Sequence, residues 1–439
     1  MLLAESPGHP MHVAGLQLFE PPKGAGPEFV RDHYRALSAS DDVQPLFRKR
    51  PAILPGGLSA NWTSATDIDL EYHVRHSALP GPGRVRELLE LTSRLHSGML
   101  DRHRPLWETH VIEGLNDGRF AVYTKIHHAL VDGVSTINLL QGALSADETD
   151  QQIRAPWALP NPADDRAGTS SMLETLTKTI KSAPRFGAST VSLARAALLE
   201  QQLTLPFRAP RTMLNVPIGG ARRCAAQSWP LQRIKDVKNA AGVTVNDVVL
   251  AMCAGALRAY LSDQNALPEK PLVAMVPVSL RTADDAAGGN QVAAVLANLA
   301  THIDDPAQRL ATISASMQKN KAVLAELPRP QAIAMGMMLL SPVVLGGMTG
   351  ISTSPPPFNL CISNVPGSRN PLYANGARLQ GTYPMSIAAN GQALNITLVG
   401  SGDSLDFGLV GCRRAVPHLQ RLLAHLETSL KDLEQGVGI

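Results

Sequence analysis

Two imidazoles and a carboxylate lie within one short stretch, His127, His128 and Asp132, closed by Gly133. An imidazole titrates near neutrality, so it can take a proton from a substrate hydroxyl and return it to a leaving group. Side chains alternate faces along an extended strand. His127 and His128 therefore meet different surroundings, one turned into a cleft and the other toward the packing behind it. The cleft-facing ring is the candidate general base. Asp132 acts either as a buried anchor or as the group that orients a ring. Gly133 allows a backbone geometry or close approach that a side chain would forbid. A bare His-His pair is more often packing or surface than catalysis, so the fuller HHxxxDG pattern carries the weight. The adjacent pair is poorly spaced to chelate one metal ion from a strand, and no metal site is expected.

The elements around the motif must hold it still. Phe120 to Ile126 reads as a strand, and Val134 to about Leu144 as a helix, so the motif occupies a strand-to-helix turn. Gly114 to Gly118 reads as a hairpin turn between that strand and Trp107 to Ile112. Upstream, Val13 to Phe19 alternates as a strand, and His9 and His12 at its start read as packing residues. Pro27 to Ser40 and Gly83 to Met99 read as helices, and Tyr72 to His76 as a short strand. Residues 145–170 carry Asp147, Glu148, Asp150, Pro156, Pro160 and Pro162, the composition of a connector. The expected organisation is a first half over 1–150, a helical bridge over 151–215, with Met172 to Leu203 mostly helical, and a second half over 216–439. In that second half, Ala225 to Leu231 reads as a strand. Val245 to Leu261 reads as a small-residue helix, with Asn246-Asp247 in a capping position at its start. Leu272 to Val278 is an apolar strand leading to Ser279-Leu280-Arg281, and Pro417 to Leu433 is a last amphipathic helix.

The motif resembles that of the acyltransferase superfamily of chloramphenicol acetyltransferase and the peptide-synthetase condensation domains. Further segments narrow the likeness: Pro105-Leu106-Trp107, Asn246-Asp247, Pro277-Val278-Ser279-Leu280-Arg281 with Gly289-Asn290-Gln291, and Ser363-Asn364-Val365-Pro366-Gly367. In this order they resemble the bacterial wax ester synthase/diacylglycerol acyltransferase family over nearly the whole chain. The resemblance implies an α/β (α+β) fold of two chloramphenicol-acetyltransferase-like halves, with mixed sheets flanked by helices and the site in the cleft between them. It implies a fatty acyl-CoA as donor and a long-chain alcohol or a diacylglycerol as acceptor. It gives the role of base to His128 and a supporting role to His127. Asp132 becomes structural, with Arg281 as its partner across the halves. Asn246, Asp247, Ser363, Asn364 and the Pro105-Leu106-Trp107 segment shape or support the cleft. The residues that usually precede Met1 in that family are missing, which suggests an internal start.

Composition agrees by exclusion. The chain has 439 residues, 44% hydrophobic and 18% charged, with a formal net charge of +3. That suits a globular protein with a large core and leaves no strong basic field for nucleic acid. There is no G-x-S-x-G elbow, no phosphate-binding glycine fingerprint and no HExxH, so lipase, nucleotide and zinc-protease chemistry are unsupported. No cofactor is expected beyond the acyl-CoA substrate. Cys224, Cys253, Cys361 and Cys412 are scattered, which suits a reducing compartment, and Met1 to Glu5 has no signal-peptide character. The expected location is cytoplasmic, with peripheral contact to the inner membrane or lipid inclusions. No charged residue occurs from Pro330 to Ser368. That stretch is expected to line an acyl tunnel or lie on lipid, with a membrane span over 331–350 as the second choice. Two other readings share the fold: a catalytically silent lipid-binding protein and a carrier-dependent condensation-type enzyme.

Overall fold

The computed structural model describes residues 1–52, 61–160, 207–279, 292–327, 336 and 355–439. The first part of the chain forms β1 (His12–Glu20), α1 (Phe29–Ser38), α2 (Pro45–Arg48), β2 (Lys49–Pro51), β3 (Trp62–Ser64) and α3 (Leu70–His73). It continues with β4 (Val74–Ala78), α4 (Val85–Ser97), β5 (Trp107–Glu113), β6 (Phe120–His127) and α5 (Gly133–Gly142). The second part forms β7 (Arg222–Pro230), α6 (Leu231–Ala241), α7 (Val245–Asp263), β8 (Val273–Ser279), β9 (Val292–Asn298) and α8 (Pro306–Glu326). It ends with β10 (Leu360–Val365), β11 (Tyr373–Ala374), β12 (Ala377–Met385), β13 (Leu394–Ser401), β14 (Ser404–Cys412) and α9 (Arg421–Gly436).

These strands make two six-stranded sheets, in the orders β11-β12-β1-β6-β5-β4 and β7-β14-β13-β10-β8-β9. Both sheets are mixed, since β4 runs parallel to β5, and β10 parallel to β8 and β13, within otherwise antiparallel pairings. The expected α/β architecture of two mixed sheets with flanking helices is what the chain adopts. One part of the division into halves needs amendment. β11 and β12, inside the expected 216–439 half, are hydrogen-bonded into the first sheet, with Ala14 opposite Met385 and Leu16 opposite Tyr383.

The central strand of the first sheet is β6, buried along its whole length between β1 and β5. Its hairpin with β5 turns through Gly114 (φ +90) and Gly118 (φ +81), a left-handed conformation that glycine enters without a Cβ clash. On one face α4 packs Leu88 against Leu16, Ile112 and Tyr123. On the other, Trp107, Trp157 and Phe120 fill the core. The short strand expected over Tyr72 to His76 begins only at Val74. The Asp69 carboxylate accepts from the Tyr72 amide at 3.1 Å and closes one helical turn, α3, ahead of it.

The second sheet carries α7, a helix buried almost throughout. Thr244 is its N-cap, and Asp247 reaches back to the Thr244 amide at 3.0 Å, so the Asn246-Asp247 position does serve as a helix start. Among the described residues, Val245–Asp263 is the one helix long and apolar enough to cross a bilayer, and 67% of its apolar window is buried inside the fold. Most of the 331–350 stretch, the Met172 to Leu203 helix and Gly289-Asn290-Gln291 lie outside the described residues.

The sheets meet where β12 crosses β14. A Cβ on Gly408 would collide with the Pro384 carbonyl, so the two backbones touch directly. Beside this contact the buried Asp406 carboxylate of β14 accepts from the Thr382 amide of β12 at 2.7 Å, the Ser228 hydroxyl of β7 at 2.6 Å and the Ser404 hydroxyl at 3.0 Å. Burial pushes the Asp406 carboxyl up to about 6, against the pull of these hydrogen bonds. The folded chain therefore holds this proton more tightly than the unfolded chain, where an aspartate titrates near about 3.9. The group's contribution is fully present in acid and is lost as pH rises through about 6. Asp406→Asn, a neutral look-alike, is expected to gain stability relative to wild type by about 3 kcal/mol between about pH 4 and about pH 7. Paired thermal melts across that range check it, and a difference independent of pH refutes it.

Candidate active site

β6 ends at His127, and the turn that follows lifts His128 off the sheet before α5 begins. The backbone of this turn is tied on three sides. The His127 amide donates to the Leu106 carbonyl at 2.9 Å, the His128 amide to the Met11 carbonyl at 2.9 Å, and the Leu130 amide to the His127 carbonyl at 2.9 Å. Pro105-Leu106-Trp107 is thus a support and not a cleft wall. Trp107 is wholly buried, donates from Nε1 to the Phe47 carbonyl at 2.9 Å, and stacks on His73 at 4.4 Å and Trp157 at 4.8 Å.

The two rings are sorted as strand alternation requires. His127 is fully buried on the α4 side of the sheet. Its Nδ1 accepts from the Ala129 amide at 3.0 Å, which leaves its proton on Nε2. That nitrogen faces Glu5 Oε1 at 3.5 Å, and both side chains are shut off from solvent. His128 is half-buried. Burial pushes its imidazole below its ordinary value, while Asp132 pulls the other way. A depressed value keeps the ring unprotonated at neutral pH, which is the form that accepts a proton.

Glu5 was not singled out by the sequence. Burial opposes its ionisation, yet His127, the Met11 amide and Arg102 together hold its carboxyl below the ordinary glutamate value. The Met11 amide donates to Oε1 at 3.0 Å, and Arg102 Nη2 lies 3.0 Å from Oε2. More buried polar groups crowd the same face. Lys125, two residues before His127, lies 3.2 Å from Glu108 and donates to the Leu95 and Gly98 carbonyls at the end of α4. His12 stands opposite His127 in the β1–β6 ladder and donates to the His96 carbonyl at 3.0 Å. His9 accepts from the Asn390 amide at 2.9 Å. His9 and His12 are packing residues, as read from the sequence.

Asp132 caps α5: its carboxylate accepts from the Ser135 amide at 2.7 Å. Arg281, its expected partner, lies outside the described residues. Gly133 corrects an expectation. Its φ is not left-handed, and among the described residues a Cβ built there would meet no atom within 4 Å. Neither backbone freedom nor close packing against the described residues requires glycine there. Ser363 and Asn364 belong to β10, whose Val365 packs with Val399 against Ile137 of α5. The Ser368 amide donates to Gln141 of α5 at 3.0 Å. The structure thus brings the Ser363-Asn364 strand up to the helix of the His motif. Asn246 and Asp247 are not brought there by any described contact; Asp247 instead bonds Thr244 and Ser314 at the start of α7. Among the described residues no cluster of His, Cys, Asp and Glu has the arrangement of a metal site.

Residues 1–249 match the wax ester synthase/diacylglycerol acyltransferase catalytic domain, and residues 288–434 the WS/DGAT C-terminal domain. The chain belongs to this family. It is 65% identical over 443 residues to the probable diacyglycerol O-acyltransferase tgs2 of Mycobacterium tuberculosis, covering 100% of this chain and 98% of the relative. A solved wax ester synthase/diacylglycerol acyltransferase from Marinobacter aquaeolei VT8 superposes with a TM-score of 0.79 at 41% identity, over 100% of this chain and 98% of that one. The starter condensation domain of rhizomide synthetase RzmA shares the fold at 15% identity, with a TM-score of 0.56 over 99% and 90% of the two chains.

The two histidines of this acyltransferase should part in their stability effects. His127→Ala leaves the buried Glu5 charge with one partner fewer, and is expected to cost roughly 2–5 kcal/mol of stability. His128→Ala, at a half-buried position, is expected to cost under about 1 kcal/mol. Chemical denaturation of both variants checks this. Equal losses would show that burial does not divide the pair.

Proposed function

We propose that this chain is an O-acyltransferase that moves a fatty acyl group from acyl-CoA to a long-chain alcohol or a diacylglycerol, with His128 as general base. The acyltransferase class rests on the family match and the full-length relatives. The observation that carries the residue assignment is the contrast between a sealed His127 and, one residue on, a half-buried His128 whose imidazole burial holds below its ordinary value.

In this reading His128 removes the proton of the acceptor hydroxyl as its oxygen attacks the thioester carbonyl. The tetrahedral intermediate collapses, the carbon–sulfur bond breaks, and the imidazolium returns the proton to the CoA thiolate. The acyl group passes directly to the acceptor oxygen, so no covalent acyl-enzyme and no cofactor are required. Asp132 and the capped start of α5 keep the turn in place.

Contact with a membrane or lipid-inclusion surface is part of the same proposal, since both acceptors are lipids and 330–368 carries no charge. The free cysteines fit a cytoplasmic location for the rest of the protein.

CoA release from palmitoyl-CoA, with hexadecanol or dipalmitoylglycerol as acceptor, tests the chemistry. Acceptor-dependent release is expected, and His128→Ala should lower it by roughly 10²–10⁴-fold. Release that survives the substitution removes His128 from the role. No release with either acceptor removes the proposed substrates.

A further inference from the structure

A buried carboxylate offers two oxygens and room for several donors. At Glu5 they are divided between two tasks. Oε1 takes the Met11 amide at 3.0 Å and faces His127 Nε2 at 3.5 Å. Oε2 takes Arg102 twice, through Nε at 3.2 Å and Nη2 at 3.0 Å. Arg102 Nη2 also donates to the Leu2 carbonyl at 2.7 Å, so the segment carrying Glu5 is gripped at two points. The loop that bears Arg102 runs on into Leu106, whose carbonyl receives the His127 amide. One loop therefore holds the His127 backbone directly and its ring through Glu5.

We propose that Arg102 is a positioning residue for acyl transfer, acting through Glu5 on His127. The inference rests on the reading of His128 as the base, because the turn that Glu5 and His127 stabilise is the one that places His128. A planar guanidinium held on one carboxylate oxygen turns the other toward the imidazole. With that oxygen 3.5 Å from Nε2 and the Ala129 amide donating to Nδ1, the ring proton sits on Nε2 and faces the carboxylate. The exposures suit this division. The Glu5 side chain is sealed at 0%, while Arg102 retains 27% and stays in touch with solvent. The charged and titratable groups around Glu5 are Arg102 from the loop, His127 and Lys125 from β6, and the Met1 amino group. Lys125 is engaged mainly by Glu108, and His12 of β1 stands next to His127. Arg102 is the cation that bonds the carboxylate.

The two roles of Glu5 predict how loss of Arg102 is felt. Without the guanidinium the buried carboxyl takes up a proton at higher pH, and it then no longer presents a negative charge to His127. In the full-length protein, Arg102→Gln is expected to lower kcat by roughly ten- to a hundredfold, the scale of a misplaced catalytic group, with KM little changed. The acid limb of its pH–rate profile should move to higher pH by about one unit. Arg102→Lys keeps the charge and loses the fork, so the limb should return while kcat stays several-fold low. In a Glu5→Gln background, Arg102→Gln should move nothing further, because the route runs through that carboxylate.

A loss of melting temperature and active fraction in Arg102→Gln, with kcat per folded molecule and the acid limb unchanged, overturns the proposal. If Arg102→Gln does not fold, Arg102→Lys decides alone: wild-type kcat overturns the proposal and a several-fold loss at unchanged melting temperature supports it. His128→Ala measured alongside separates the two ideas. A fully active His128→Ala refutes the base assignment, whereas a dead His128→Ala beside an Arg102→Gln of wild-type kcat and acid limb refutes only the positioning role.

Discussion

An ionised group sealed from water must find its partners inside the protein or cease to be ionised. The α4 face of the first sheet buries three such groups under the end of β6: Glu5, Glu108 and Lys125. Lys125 spends its three donors on Glu108 and the last carbonyls of α4. Burial opposes the charge on Glu108, yet His110, Lys125 and Arg75 hold its carboxyl down at about 2. The partners come from several elements, so α4, β4, β5, β6, the segment ahead of β1 and the loop before Leu106 cannot shift separately without stranding a charge. That constraint is what makes the strand end bearing His127 a rigid mount.

The second sheet is held in register against the first. Two joints do this, and they work differently. At β12 and β14 the main chains touch, with Gly408 against the Pro384 carbonyl, and Asp406 bonds across to Thr382. At α5 the contact is apolar: Ile137 packs on Val365 and Val399, with a single polar tie from Ser368 to Gln141. The first joint fixes backbone to backbone. The second sets the helix of the His motif against the strand that carries Ser363 and Asn364. His96 links the two regions: its Nε2 donates to the Ser386 carbonyl just past β12, and its Nδ1 accepts from Tyr123 of β6.

What could be read from the sequence was local. The β5–β6 hairpin announces itself through Gly114 and Gly118, α7 through its cap and apolar run, and the histidine motif through its own spacing. The link from Arg102 to Glu5 spans 97 residues, and nothing in the residues around Glu5 marks it as the neighbour of His127. The transfer of β12 into the first sheet was equally hidden, because a strand's alternation says nothing about which sheet it joins. Two local readings also missed. Tyr72 and His73 are pulled into a helical turn by the Asp69 cap, and Gly133 lacks the tight packing its type suggested. Trp107, expected at the cleft or in support of it, is deep core because its indole nitrogen finds the Phe47 carbonyl there.

In the proposed reading the adjacent histidines divide one task because the β-strand forces them apart. A ring that is to accept a proton must be reachable by substrate and must favour its neutral form. A ring that is to hold a turn in place must be sealed and tied to its surroundings. Strand alternation puts His127 at the end of β6 facing the α4 side, where Glu5 waits, and releases His128 into the turn. The second-sheet joint at α5 then keeps that turn from opening. In this arrangement His128 needs few contacts of its own, since its position follows from those of Met11, His127 and Asp132 on either side. On the proposed assignment the site keeps its base lightly bound and its neighbour sealed, and the buried charges beneath β6 make the second condition hold.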